Sequence, residues 1–108
     1  MPKIKISRDI KLEGLFRDWL SQRPADATFN ANSSEQCAFA QFLSETGMAT
    51  EPNVRSLWWF DNSTGEKNGK RIPTPIVAAF KAPLRASIVA FSTALEQFDK
   101  MVVELEAL

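Results

Sequence analysis

Apolar positions between residues 9 and 22 fall at Leu12, Leu15, Phe16, Trp19 and Leu20, an i, i+3, i+4, i+7, i+8 stripe. That spacing predicts an amphipathic helix, ended by Arg23-Pro24 because the residue before a proline resists the α region. Residues 24–34 read as a loop with one apolar anchor, Phe29. Ser33 followed by Gln36 is a capping-box signature and opens a second helix over 34–46, rich in Ala and Phe, with Gly47 as its C′ residue. From Val54 to Phe60 the period shortens to two, which predicts a strand with large apolar groups on both faces. Turn chemistry follows through Asn68-Gly69, and Arg71-Ile72 forms a short return strand that Pro73 and Pro75 confine to an edge. Thr74 with Pro75 starts a third helix that runs to about Lys81. Ile4 and Ile6, alternating with Lys3 and Lys5, suggest a brief edge strand at the N-terminus.

The longest regular pattern is C-terminal. Leu84, Ile88, Phe91, Leu95, Phe98, Val102 and Leu105 repeat in alternating steps of four and three. A helix from Pro83 to Glu106 would be about 36 Å long at 1.5 Å per residue. The positions flanking the seam hold Ser87, Ser92, Ala94, Asp99 and Met101 rather than paired opposite charges, which argues against a dedicated coiled coil. Most of the seam is therefore expected to pack against the helices at 9–22 and 34–46. Its last turns, with Val102 and Leu105, are the expected place for self-association into a homodimer. The fold class predicted is α+β: one compact domain over residues 1–108, mostly helical, with a small hairpin packed on the helices and a long C-terminal helix.

Composition narrows the chemistry. The 108 residues are 44% apolar and 24% charged, an ordinary globular balance that needs no disulfide or metal staple. Thirteen basic residues balance thirteen acidic ones, so the chain lacks the overall basic field of a chromatin-type binder. There is no His and only one Cys, Cys37. Ser-His-Asp and Cys-His nucleophile pairs, His-ligated zinc and C-x-x-C redox chemistry are thereby excluded. Two-carboxylate or Mg²⁺ chemistry needs no His and survives, but no enzyme activity, cofactor or metal is expected. Cys37 near a helix start has a dipole that favours thiolate, yet among Ala and Phe it reads as packing. No apolar run approaches the length of a membrane span and no secretory h-region follows the charged N-terminus, which predicts a cytoplasmic protein with no membrane partner.

The balanced charge is unevenly distributed. Residues 26–52 hold four acidic groups and no basic one, whereas residues 53–85 hold six basic and two acidic. Within the basic block, Arg55, Trp58, Trp59, Lys67, Lys70 and Arg71 have a composition suited to binding. Aromatic residues beside Arg make up protein-interface hot spots, and the same groups stack on exposed bases while cations hold phosphates. Gly65 to Arg71 superficially resembles a phosphate loop, but the glycine spacing is one residue short and Arg stands where Ser or Thr must bind magnesium. A protein partner is the favoured expectation, with nucleic-acid binding through the 55–71 hairpin as the alternative.

Phe16-Arg17-Asp18-Trp19-Leu20, Pro24-Ala25-Asp26 and Cys37-Ala38-Phe39-Ala40-Gln41-Phe42-Leu43 together resemble a pattern in short bacterial and phage proteins. The resemblance covers residues 15–47. It implies a bacterial or mobile-element setting and carries no activity or site residue.

Overall fold

The computed structural model describes residues 6–55, 57–65, 68–81 and 88–108. The first helix, α1, spans Ile10–Ser21. Asp9 caps it: its carboxylate accepts from the Leu12 amide at 3.1 Å, while the Asp9 amide donates to Glu13 Oε2 at 2.8 Å. Two of the N–H groups at the helix start are thus satisfied reciprocally. The buried stripe is Glu13, Phe16, Trp19 and Leu20. Leu15, expected inside, is 44% exposed, because the helix is turned to bury the Glu13 carboxylate instead. That is tolerable only because Arg8 meets the carboxylate with both Nε and Nη2, at 2.8–3.2 Å. The hydrogen bonds it donates to Glu13 hold the Arg8 guanidinium above its ordinary pKa.

Phe29 lies within a strand, β1 (Thr28–Asn30), rather than in a loop. Next, the Ser33 hydroxyl accepts from the Gln36 amide at 2.9 Å as the capping signature requires, but residues 34–36 form a turn. Helix α2 begins only at Ala38 and runs to Glu45, with Cys37 as a buried N-cap and Gly47 at φ 76° as the C′ residue.

The strand expected over 54–60 is a hairpin. β2 (Pro52–Arg55) and β3 (Trp58–Asp61) pair antiparallel, and β4 (Lys70–Arg71) adds to the far side of β3. An uninterrupted run of β-formers hides such a reversal, since no Gly or Pro marks residues 56–57. Helix α3 follows at Thr74–Lys81, close to its expected bounds. Ser7 pairs with its first residue: the Thr74 amide donates to the Ser7 carbonyl at 2.8 Å, and the Ser7 amide donates to Thr74 Oγ1 at 3.0 Å. Ile6 is exposed and outside any strand, and Ile4 lies outside the described residues.

The C-terminal helix is shorter than its periodicity implies. Ile88–Ala90 forms a strand, β5, paired antiparallel with β1 in the register Thr28↔Ala90, Phe29↔Val89, Asn30↔Ile88. Helix α4 then runs from Phe91 to Glu106, about 24 Å. Two β-branched residues and a ladder partner outweigh the four-residue step from Leu84 to Ile88. Leu84 itself lies outside the described residues. α4 packs chiefly on α3 and then on α1, and only weakly if at all on α2, against which the pattern also placed it.

These elements give the α+β class expected, with four α-helices and two small antiparallel sheets among the described residues. Their buried apolar residues form one cluster. At its centre Phe16 meets Phe39 at 5.6 Å and Phe42 at 5.3 Å, both edge-on, and Phe98 at 6.1 Å. Trp19, Phe91 and Phe29 extend the chain of rings toward the β1–β5 pair. Phe39 carries it toward Trp59 of β3 and Phe80 of α3. No described helix is long and apolar enough to cross a membrane.

Candidate functional site

The reversal between Arg55 and Trp58 decides which aromatic groups reach solvent. Residues directly opposite in an antiparallel ladder project to the same face. Val54 opposes Trp59, and both are buried; Trp59 is 9% exposed and meets Phe39 edge-on at 6.3 Å. Arg55 opposes Trp58, which in turn opposes Arg71 on β4. The outer face therefore carries a cross-strand row of positions, Arg55–Trp58–Arg71, in which Trp58 is 47% exposed and Arg71 is half-buried, its Nη1 shielded from solvent.

The support beside this row is specific. Arg55 Nε donates to Asn53 Oδ1 at 2.9 Å, and the Arg55 guanidinium lies 5.9 Å from the Phe60 ring centre. Asn53 is itself buried and donates through Nδ2 to Ser34 Oγ at 3.4 Å. Gly69 lies against the same face: a Cβ there would fall 2.7 Å from Phe60 Cζ and 3.0 Å from Trp58 Cβ, so the close approach requires glycine. The loop thus covers Phe60 and leaves the indole of Trp58 open. Leu57, in the turn, extends the exposed apolar surface.

Of the six residues singled out in the sequence, the structure brings Arg55, Trp58 and Arg71 together. Trp59 belongs to the core, and Lys70 lies on that opposite face, its Nζ 4.6 Å from the Trp59 ring centre. Lys67 lies outside the described residues. At the other proposed surface, Phe98 is buried, Val102 packs against the core and Leu105 is half-buried. Val103, which the 3–4 repeat passes over, is 67% exposed. Asn53 and Gly69 pack against this row and were not singled out in the sequence. Gly69 carried a signal through its Asn-Gly pair, whereas Asn53 gave none.

Asp61 ties the sheet to the α2–β2 connection. Its carboxylate accepts from the amides of Thr50 and Glu51, both at 3.1 Å, and from the Ser63 amide and hydroxyl at 3.0 and 2.7 Å. The Ser63 hydroxyl and then the backbone amides hold its pKa down to about 2, against an ordinary 3.8. A depressed carboxylate contributes stability that is fully present above its unfolded value and is lost as pH falls through its folded one. Acid titration of the denaturation midpoint is therefore expected to show a loss between pH 3.8 and about 2 that Asp61→Ala lacks. A variant profile parallel to the wild type over that interval would remove Asp61 as the cause.

A groove of about 470 Å³ beside α2 is lined by Glu35, Glu45 and Glu51 among polar neighbours. Glu45 is already engaged there by Trp19 Nε1 at 3.3 Å and Arg23 Nη1 at 3.1 Å. Among the described residues no group of three His, Cys, Asp or Glu side chains is arranged to hold a metal ion. Comparison with protein families, curated proteins and solved structures finds no match to the chain.

Proposed function

We propose that this chain is a non-enzymatic protein-binding protein that docks its partner on the outer face of the β2–β3–β4 sheet. The observation that carries the reading is Trp58, a large aromatic side chain half-exposed on a rigid strand and flanked in register by Arg55 and Arg71. Trp and Arg dominate interface hot spots because they bury much area for little lost side-chain freedom and bring directional donors. Phe60, Gly69 and Asn53 pack beside Trp58 and Arg55 and hold them in place, which lowers the entropy lost on binding. A buried lone thiol suits a reducing compartment, so the setting proposed is the cytoplasm. The resemblance of residues 15–47 supports a bacterial host and a phage or mobile-element origin.

Trp58→Ala should cost about 2 kcal/mol of binding, roughly thirtyfold in affinity. The fold should persist, since the indole is half in water already. Immobilised wild-type and variant chains exposed to nuclease-treated extract give the measurement, with circular dichroism as the control for folding. Retention of a protein by the wild type and its loss from the folded variant is the expected result. Retention that vanishes on nuclease treatment would point instead to single-stranded nucleic acid stacked on the indole.

A further inference from the structure

An asparagine followed by glycine can react with its own backbone. No Cβ shields the glycine nitrogen, which attacks the asparagine carboxamide carbon and closes a five-membered succinimide. In a folded chain the reaction requires that nitrogen to be unbonded and the carboxamide to be free to swing onto it. The sequence has asparagines at 30, 32, 53, 62 and 68, and the first four are restrained. After Asn32 and Asn53 the next amide is already a donor, Ser33 to the Asn30 carbonyl at 3.2 Å and Val54 to the Ser34 carbonyl at 2.7 Å. After Asn62, the Ser63 amide donates to Asp61 Oδ1 at 3.0 Å. Asn30 has its side-chain Oδ1 held by the Asn32 amide at 2.9 Å.

Asn68 differs because of the ladder that follows it. The Ile72 amide donates to the Leu57 carbonyl at 2.8 Å, and Trp59 pairs with Lys70. Bonded and unbonded pairs alternate along an antiparallel ladder, so Gly69, one step past Lys70, turns its amide away from β3. The bond from the Asn62 amide to the Glu51 carbonyl, at 2.9 Å, sets the parity that directs Phe60 toward Asn53 on β2. Among the described residues the Gly69 amide has no acceptor, and Asn68 is exposed. The fold also keeps the reactive pair intact, since a Cβ at Gly69 would fall 2.7 Å from Phe60 Cζ. We propose that Asn68 is a self-modification site, converting in the folded chain to isoaspartate and aspartate and displacing the loop beside Trp58. The Gly69 nitrogen bonds to Asn68 Cγ, and ammonia leaves with the carboxamide nitrogen and the Gly69 amide proton. Water then opens the ring at either carbonyl. Breaking the original peptide bond leaves isoaspartate, whose backbone runs through Cβ and Cγ and is one carbon longer; breaking the new bond leaves aspartate. Both products place a carboxylate two positions before Lys70, and the longer backbone has no slack where Gly69 meets Phe60 and Trp58.

The test incubates the intact chain in mildly alkaline buffer, folded and in guanidinium, and follows each asparagine by peptide mass. Labelling with an isoaspartyl methyltransferase identifies the longer product. Asn68 in the folded chain is expected to react less than about tenfold more slowly than in guanidinium, whereas Asn32, Asn53 and Asn62, which react only when the fold opens, should be slowed well beyond that. Asn68→Gln, whose cyclisation needs a less favoured six-membered ring, should abolish the methyl-acceptor signal in a chain of unchanged circular dichroism. Protection of Asn68 by about tenfold or more in the folded chain would overturn the assignment, because the site would then open only with the fold. An isoaspartyl signal of undiminished size in Asn68→Gln would overturn it as well. The isoaspartyl fraction, separated by ion exchange, is expected to show redder indole emission than Asn68→Asp, which adds the charge without lengthening the backbone. Identical emission from the two would overturn the displacement of the loop.

Discussion

Phe39→Ala is expected to lower the unfolding free energy by about 3–5 kcal/mol, the range for truncating a fully buried phenylalanine. Phe39 has no solvent exposure, and its ring touches four others. It stacks on Phe42 at 5.8 Å and Phe80 at 6.3 Å, and meets Phe16 and Trp59 edge-on at 5.6 and 6.3 Å. Those rings come from α1, α2, α3 and β3, so the cavity left by Ala borders most of the core and cannot be closed by one side chain moving. A domain of this size has a total stability of about 5–15 kcal/mol, so the loss removes a large fraction of it. Urea denaturation followed by circular dichroism measures the change, with Phe39→Leu as the milder control at about 1 kcal/mol. A loss below about 1 kcal/mol for the Ala variant would show that the aromatic cluster is not the unit holding helices to sheet. Because Phe39 supports Trp59 from inside, the variant should also loosen the sheet that presents Trp58.

Glu13→Ala should produce the second-largest effect, about 2 kcal/mol, or about 10 °C in melting temperature. Glu13 is 4% exposed, and its carboxylate accepts three bonds from Arg8 and one from the Asp9 amide. Removing it orphans the Asp9 amide at the helix start and leaves Arg8 without its partner. The cost stays below that of a wholly buried pair because the Arg8 side chain is 26% exposed and can turn to water. Thermal melts of Glu13→Ala, Arg8→Ala and the double variant give the coupling directly. The double variant should be far less destabilised than the sum of the singles, since neither group is then left alone. Simple additivity would mean that the two side chains act independently.

Glu13 also marks where sequence reasoning met its limit. The apolar stripe places Leu15 in the core and gives Glu13 no burial signal. The structure exposes Leu15 and buries Glu13, because Arg8, five positions away, satisfies the carboxylate. The C-terminal repeat misled for a related reason. Spacings of four and three continue smoothly through Ile88, yet that residue pairs with Asn30, far away in the chain. Periodicity within a segment cannot register a partner so distant in sequence.

The candidate binding residues were legible as a set of types, and three of the six stand on one face. Their sorting was not legible. An alternating run from Val54 to Phe60 fixes which residues share a face only while the strand stays continuous. The reversal between Arg55 and Trp58 resets the parity, placing Trp59 with Val54 in the core and Trp58 with Arg55 outside.

By itself the sequence determined α1, α2 and α3 to within a few residues, through helical spacing, the Thr74 start and the Pro24 and Gly47 stops. It also determined most of the aromatic core and the absence of His- and thiol-pair chemistry. Those properties depend on neighbours three or four residues apart, or on composition alone. Tertiary structure decided the β1–β5 pairing, the start of α4, the burial of Glu13 and the Arg55–Trp58–Arg71 row. Each of these rests on backbone ladders or side-chain partners outside the local period, and only the folded chain brings such groups within bonding distance.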